Sequence, residues 1–285
     1  MGGSPAGDII VSAALLIIRI DCLSEPPELY ILQVDSTNGE ALGDTLIVSL
    51  EDIVTGVCFI DEATRELEMV KEIIPTDQRA ELRFNHGGID AMAAMADGPN
   101  QLPESYGTPR GRLWRYDPDG SLHLMITKGV VCGKGLAWIP DNKTMYFNAS
   151  FAMVVFAFDF GLESGSITKK RLLIDRRSSY GEPDGIVRLI INSMDGNLWI
   201  AVFASHRIMA FSPEGKHLKD IICTAKNPAC TTWGGKDHNI IFMASGKDHS
   251  EHPERGGEGG HMFKYHPVDA RGYAKHEFAG SMSAG

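Results

Sequence analysis

The chain has 285 residues and is 43% apolar, enough to fill one large globular core, which excludes a disordered protein. Lys and Arg number 27 against 37 Asp and Glu, a net charge of -10, and no basic stripe with interleaved aromatics occurs, so nucleic acid is excluded as a partner. Cys22, Cys58, Cys132, Cys223 and Cys230 are odd in number and form no C-x-x-C pair, which argues against a zinc knuckle or a disulfide framework and fits a reducing, cytoplasmic setting.

Ile9 to Ile20 is apolar enough for a signal-peptide core, but it follows Asp8 instead of a cationic segment, and Arg19 interrupts it short of a membrane span. It reads as a pair of buried strands, with no membrane partner. Leu15 to Ile20, Leu29 to Val34, Thr45 to Leu50 and Val57 to Ile60 are short apolar runs parted by Pro, Gly, Asn or Asp, the density of an all-β domain. Glu62 to Ile74 has helical propensity, yet its neighbours are strands throughout, so a turn at Glu62-Ala63-Thr64 and a further strand are expected.

Two kinds of repeat follow. The first is an alternating strand, most often ending in a turn: Leu113 to Gly120, Val155 to Phe160, Met209 to Gly215, and Met262 to Pro267. These recur at roughly the 40 to 55 residue period of propeller blades. The second is a polar residue, a glycine and an apolar strand: Lys134-Gly135-Leu136-Ala137-Trp138, and Asp184-Gly185-Ile186-Val187. A turn and a second strand come next, Pro140-Asp141-Asn142 into Met145-Tyr146-Phe147, and Asp195-Gly196-Asn197 into Leu198-Trp199-Ile200. Thr231-Thr232-Trp233 with Ile240 to Met243 is a poorer copy. Pro183 and Gly185 set Asp184 as one exposed acid at a loop-to-strand junction.

Units of this kind bury both faces only by stacking radially, so residues 1–285 are expected to form a single six-bladed β-propeller. Residues that open the innermost strands then converge on one mouth of the central channel: Asn85-His86-Gly87, Lys134-Gly135, Asp184-Gly185 and Thr231-Thr232. An N-terminal strand is expected to complete the last blade. Trp114, Trp138, Trp199 and Trp233 belong to strand repeats and read as blade core.

Arg83 to Asp90 (RFNHGGID), Gly135 to Asp141 (GLAWIPD), Pro183-Asp184-Gly185 with Gly196 to Ala201, and Trp233-Gly234-Gly235 resemble the regucalcin (senescence marker protein) and gluconolactonase family, from about Val48 to Gly280. The resemblance implies a propeller with a divalent metal, calcium or zinc, at the channel mouth, and hydrolysis of small lactones. It also implies a metal held by an N-terminal Glu, an Asn before the Gly-Leu-Ala-Trp segment and the Asp of Pro-Asp-Gly, with an Arg and an Asn on the substrate. Arg83, Asn85 and Asp184 match by position; Asp184 and Asn85 are the candidate metal contacts if a metal binds. Lys134 stands where the Asn is expected, Gly3-Ser4-Pro5 offers no acid where the Glu should lie, and His86 replaces an Asp.

An ammonium group cannot coordinate a hard cation. Lys134 therefore either supplies its own charge beside Asp184, or swings outward while water completes a weakened metal site. Lactone hydrolysis needs a polarised carbonyl and a base-activated water. Asp184 and Lys134 are the candidate catalytic pair, and Arg83, Asn85 and His86 the candidate substrate contacts. Gln101 to Thr108 reads as a lid that adds Glu104 and Tyr106. Cys132 reads as a structural thiol, and His249 and His252 as part of a solvated loop. Three functions stay open: a small-molecule lactone or ester hydrolase, a metal-independent isomerase or cyclase on the same scaffold, and a non-catalytic binding propeller.

Overall fold

The computed structural model describes residues 16–21, 28–33, 46–49, 55–60, 67–79, 82–89, 93–99, 111–130, 132–139, 141–190, 196–248, 258–268 and 270–272. These residues are almost entirely β-structure, with one 3-10 turn at Thr76–Gln78.

Among the described residues every sheet is antiparallel, and all but one are meanders of strands consecutive in the chain. β1 (Leu16–Asp21), β2 (Glu28–Gln33) and β3 (Leu46–Ser49) form the first, and β4 (Gly56–Ile60) pairs with β5 (Leu67–Glu72) in the second. β5 settles the helix-or-strand question after Glu62 in favour of the strand, while the turn expected before it lies outside the described residues. β6 (Leu82–Ile89), β7 (Ala93–Pro99), β8 (Gly111–Tyr116) and β9 (Leu122–Val130) come next. β10 (Gly133–Trp138), β11 (Thr144–Ala149), β12 (Val154–Gly161) and β13 (Ser166–Asp175) form the following sheet. β14 (Glu182–Ile190), β15 (Leu198–Phe203), β16 (Arg207–Phe211) and β17 (His217–Ile222) form another, which β21 (Arg271–Gly272) extends beside β14. β18 (Asn227–Gly234), β19 (Ile240–Gly246) and β20 (Met262–Tyr265) form the last. Among the described residues no N-terminal strand pairs with β20, so the expected completion of this sheet from the N-terminus is not made there.

The turns are where the sequence places them. Asp117 to Gly120 closes with Gly120 N–H donating to Asp117 O at 2.9 Å, and Ser212 to Gly215 closes in the same way, again at 2.9 Å. Gly120 and Gly215 take φ of 83° and 85°, a region that costs glycine nothing. Asn142 at φ 53° ends the equivalent turn after β10, and asparagine tolerates that backbone better than most residues.

Burial falls from the first strand to the last in the sheets of β10 to β13 and of β18 to β20. β10 and β11 are enclosed over most of their length, β12 alternates, and β13 is exposed at most positions. A strand buried on both faces needs cover above and below, and the neighbouring sheets supply it. Leu113, Val130, Leu136, Met145 and Phe158 pack between the sheet of β6 to β9 and that of β10 to β13. Ala137, Tyr146, Val155, Ile186, Ile200 and Phe211 fill the next interval. Trp199, Ile208, Trp233, Ile241 and Met243 fill the one after, where Trp199 and Trp233 meet edge to face with centroids 6.4 Å apart. Ile73, Ile74, Leu82, Phe84 and Tyr116 hold the β4–β5 pair to the sheet of β6 to β9. From the β4–β5 pair to the sheet of β18 to β20, consecutive sheets are thus stacked through continuous apolar layers.

Candidate functional site

The first strand of each of four successive sheets is irregular, and the irregularity recurs at one place. Pairing shifts by one residue between Phe84 and His86 in β6, between Gly133 and Leu136 in β10, between Pro183 and Ile186 in β14, and between Pro228 and Cys230 in β18. A bulge lifts a residue out of the ladder and re-aims its side chain. The residues so lifted are Asn85, Lys134 with Gly135, Asp184 with Gly185, and Ala229. Asp184 is therefore no loop residue: it lies inside β14, and at 3% exposure it is buried, not exposed as its flanking Pro and Gly suggested. In β18 the repeat falls on Ala229. Thr231 and Thr232, expected from their place before Trp233 to open the strand, are buried further along it.

The glycines after the bulged residues let the first strands approach closely. A Cβ on Gly135 would lie 2.4 Å from Ile186 Cγ2 and 2.8 Å from Asp184 O, and one on Gly185 would lie 2.7 Å from Cys230 Cα. Only glycine fits at this separation, so the polar-Gly pairs of the sequence are a packing requirement as well as a motif.

The close approach brings two charges together. Lys134 Nζ lies 3.4 Å from Asp184 Oδ1, with the two side chains 2% and 4% exposed. Lys134 therefore turns inward. Asn148, fully buried on β11 beside the Lys134 bulge, donates Nδ2–H to Asp184 O at 2.5 Å, a second link across the same two sheets. Burial pushes the Asp184 carboxyl up to about 6, against the opposing pull of Lys134 and of the Gly185 N–H. Glu182, two residues upstream and half-buried, is pushed up to about 7, first by burial and then by the Asp184 charge, with Lys134 opposing. Asp184 Oδ2, Asn148 Oδ1, Thr231 Oγ1 and Thr232 Oγ1 are enclosed and have no partner among the described residues. Buried polar atoms are rarely left so in a finished fold, and here they mark polar capacity around the bulges.

Asn148 and Glu182 escaped the sequence reading. Asn148 is one polar residue in a run of buried ones, Met145 to Ala149, which is itself a signal. Glu182 shows only as the neighbour of Pro183. Ala229 was legible by spacing, since it precedes Trp233 by the same four residues that separate Lys134 from Trp138.

Arg83, Asn85 and His86 are placed on β6 by backbone, with Asn85 at the bulge. Glu104, Tyr106 and the rest of Gln101 to Thr108 lie outside the described residues, as do His249 and His252. Cys132 is a buried thiol with φ 50°, consistent with its structural reading. A surface Ser-His-Asp group needs a word, because Ser121 Oγ and Asp117 Oδ2 lie 3.0 and 3.2 Å from His123 Nε2. A relay requires acid and hydroxyl on opposite ring nitrogens, and both sit on the same one here. Asp117 is instead clasped by Arg115 through bonds of 2.7 and 2.8 Å.

Among the described residues, the charged groups nearest Asp184 do not suit a divalent cation. Calcium takes six to eight oxygen ligands, yet the nearest charged neighbour of the carboxylate is an enclosed ammonium group, and the bulge in β18 offers a methyl.

An all-β stack whose first strands carry a charged pair at matched bulges is the class that fold and site define. The family described as SMP-30/Gluconolactonase/LRE-like region matches residues 32–247, and the chain belongs to it. Regucalcin of Danio rerio is 26% identical over 230 residues, covering 79% of this chain and 75% of its own. The structure of a regucalcin from Agrobacterium tumefaciens, described as a calcium-binding protein, superposes with a TM-score of 0.78 at 16% identity, over 95% of this chain and 94% of that one. That of a luciferin-regenerating enzyme gives 0.74 at 19% identity, over 98% and 96%. Both structural likenesses concern the fold.

Proposed function

We propose that the chain is a lactone or ester hydrolase for small molecules, acting at the channel mouth of a six-bladed β-propeller. The observation that carries this reading is the enclosed Lys134–Asp184 pair at adjacent bulges of a chain from a family that includes gluconolactonases. The matched bulges aim their residues toward a common axis if the sheet stack closes on itself, which is the arrangement of a propeller mouth.

In this reading Asp184 takes a proton from water, and the hydroxide adds to the lactone carbonyl. A carboxyl held up at about 6 suits a base near neutral pH. The Lys134 ammonium donates to the carbonyl oxygen as it gains negative charge, a service oxyanion donors perform elsewhere. The ring C–O bond then breaks, and the proton returns from Asp184 to the leaving oxygen. Arg83, Asn85 and His86 hold the remaining substrate oxygens, and Glu104 and Tyr106 close over them. A reducing, cytoplasmic setting goes with this reading, since the five cysteines are odd in number and form no C-x-x-C pair.

The test is a panel of sugar lactones and aryl esters, assayed with wild type and Asp184→Asn, with thermal melting on the same samples. Turnover is expected in wild type, and a folded Asp184→Asn protein should lose on the order of 100-fold or more. Undiminished turnover in that variant removes Asp184 from the mechanism. The Lys134–Asp184 pair also favours a second reading, an isomerase or cyclase, since an acid and a base in contact can move a proton on a substrate without adding water. Conversion of a lactone or carbonyl substrate without uptake of solvent oxygen-18 would select it.

A further inference from the structure

The charge that a family member would take from a bound ion is already built into this chain. Lys134 Nζ lies 3.4 Å from Asp184 Oδ1 and its side chain is 2% exposed, so any ion reaching that carboxylate oxygen must first displace the ammonium. The packing of the two strands opposes that displacement. The Lys134 side chain is closed in, and its backbone sits in a bulge pressed against β14, where Gly135 leaves no room for even a methyl group beside Ile186. β14 is held to the same sheet a second time by the Asn148 amide, which donates to the Asp184 carbonyl. The separation of positions 134 and 184 is thus set by the packing of β10 on β14, and the lysine stem spans it with its ammonium at Asp184.

We propose that Lys134 is a resident cation, occupying the place at Asp184 that a divalent ion would otherwise take, and that this protein works without a metal. The inference concerns the same site as the proposed hydrolysis and rests on that reading only for its use in catalysis. The substitution changes what the site can hold. A divalent ion accepts lone pairs from several oxygens at once, carboxylates included. An ammonium donates hydrogen bonds and carries a single charge, which Asp184 already balances. The ligand class is therefore a neutral carbonyl compound, a lactone or ester, whose oxygen gains charge only as it reacts.

The experiment uses the full chain, stripped with chelator and titrated separately with calcium, manganese and zinc chlorides. Heat of binding, melting temperature and elemental content are measured on wild type, Lys134→Asn and Lys134→Met. Wild type is expected to take up none of the three stoichiometrically and to melt at the same temperature with and without them. Lys134→Asn removes the ammonium and adds an amide oxygen beside Asp184, so it should gain weak calcium binding, with Kd on the order of 1 mM. Lys134→Met removes the charge without adding a ligand and should bind less than Lys134→Asn. One divalent ion per wild-type chain, with a raised melting temperature, overturns the proposal. So does a Lys134→Asn protein that folds and yet matches wild type in every titration. If Lys134→Asn does not fold, the wild-type and Lys134→Met titrations decide alone. Hydrolysis is followed in the same samples: a metal-free protein without hydrolytic activity defeats the proposed reaction and leaves this inference standing, and a hydrolase that dies with chelator and revives with calcium does the reverse.

Discussion

Two opposite charges enclosed together are each other's solvent, and the penalty for separating them is unequal. Removing one member of a buried pair typically costs about 3 to 5 kcal/mol, because the other is left uncompensated. Asp184→Asn strands an ammonium. Lys134→Met strands a carboxyl that can simply take up a proton, being already pushed to about 6 by burial. Urea unfolding at pH 8, where the wild-type pair is ionised, should therefore show Asp184→Asn as the more damaged variant. Lys134→Met combined with Asp184→Asn should recover part of the loss, a coupling that independent sites would not show. The proton balance gives a second expectation. Asp184 and Glu182 both hold protons more tightly folded than unfolded, moving from 3.8 to about 6 and from 4.5 to about 7. Their stabilisation is complete below the unfolded values and is lost as pH rises through the folded ones. Glu182→Gln removes one of the two. It should match wild type near pH 4 and become progressively more stable than wild type toward pH 8, as read from melting temperatures in parallel buffers.

A strand is legible in a sequence to the degree that its faces differ or its ends are marked. β8, β12, β16 and β20 alternate and most close with turn residues, and β10 and β14 open with a polar-Gly pair, so all were legible. β9, β13 and β17 were not. β13 is exposed at most positions, and a run such as Lys169, Lys170 and Arg171 has no apolar face to betray it. The bulges were hidden for a different reason, because an extra residue in a ladder is a property of two strands and is invisible in either alone. Hence the exposed reading of Asp184; Ala229, by contrast, could have been found from its spacing to Trp233. Gly135→Ala tests the packing that the bulges depend on. With the added Cβ 2.4 Å from Ile186 Cγ2 and 2.5 Å from Ile186 N, the strands must part, at a cost of about 1 to 3 kcal/mol. A denaturation midpoint unchanged from wild type would mean that β10 and β14 are farther apart than described.

The apolar layers run unbroken from the β4–β5 pair to the sheet of β18 to β20, so no interval between sheets is a natural place to divide the chain. Limited proteolysis should clip loops and return no stable half. Two fragments that each melt cooperatively would refute a single domain. The register shift that recurs at Asn85, Lys134, Asp184 and Ala229 has one more meaning at this scale. Each shift is a socket: the flanking ladder carries the hydrogen bonds of the sheet, and the lifted residue makes none of them. Chemistry can then be rewritten one socket at a time, a carboxylate here or an amide there, without renegotiating the sheets between. Ala229 is the socket in which this chain has written no polar group; its carbonyl lies against Gly185 of the neighbouring sheet, so side chains installed there would enter one bulge along from Asp184, an open place to add a new function.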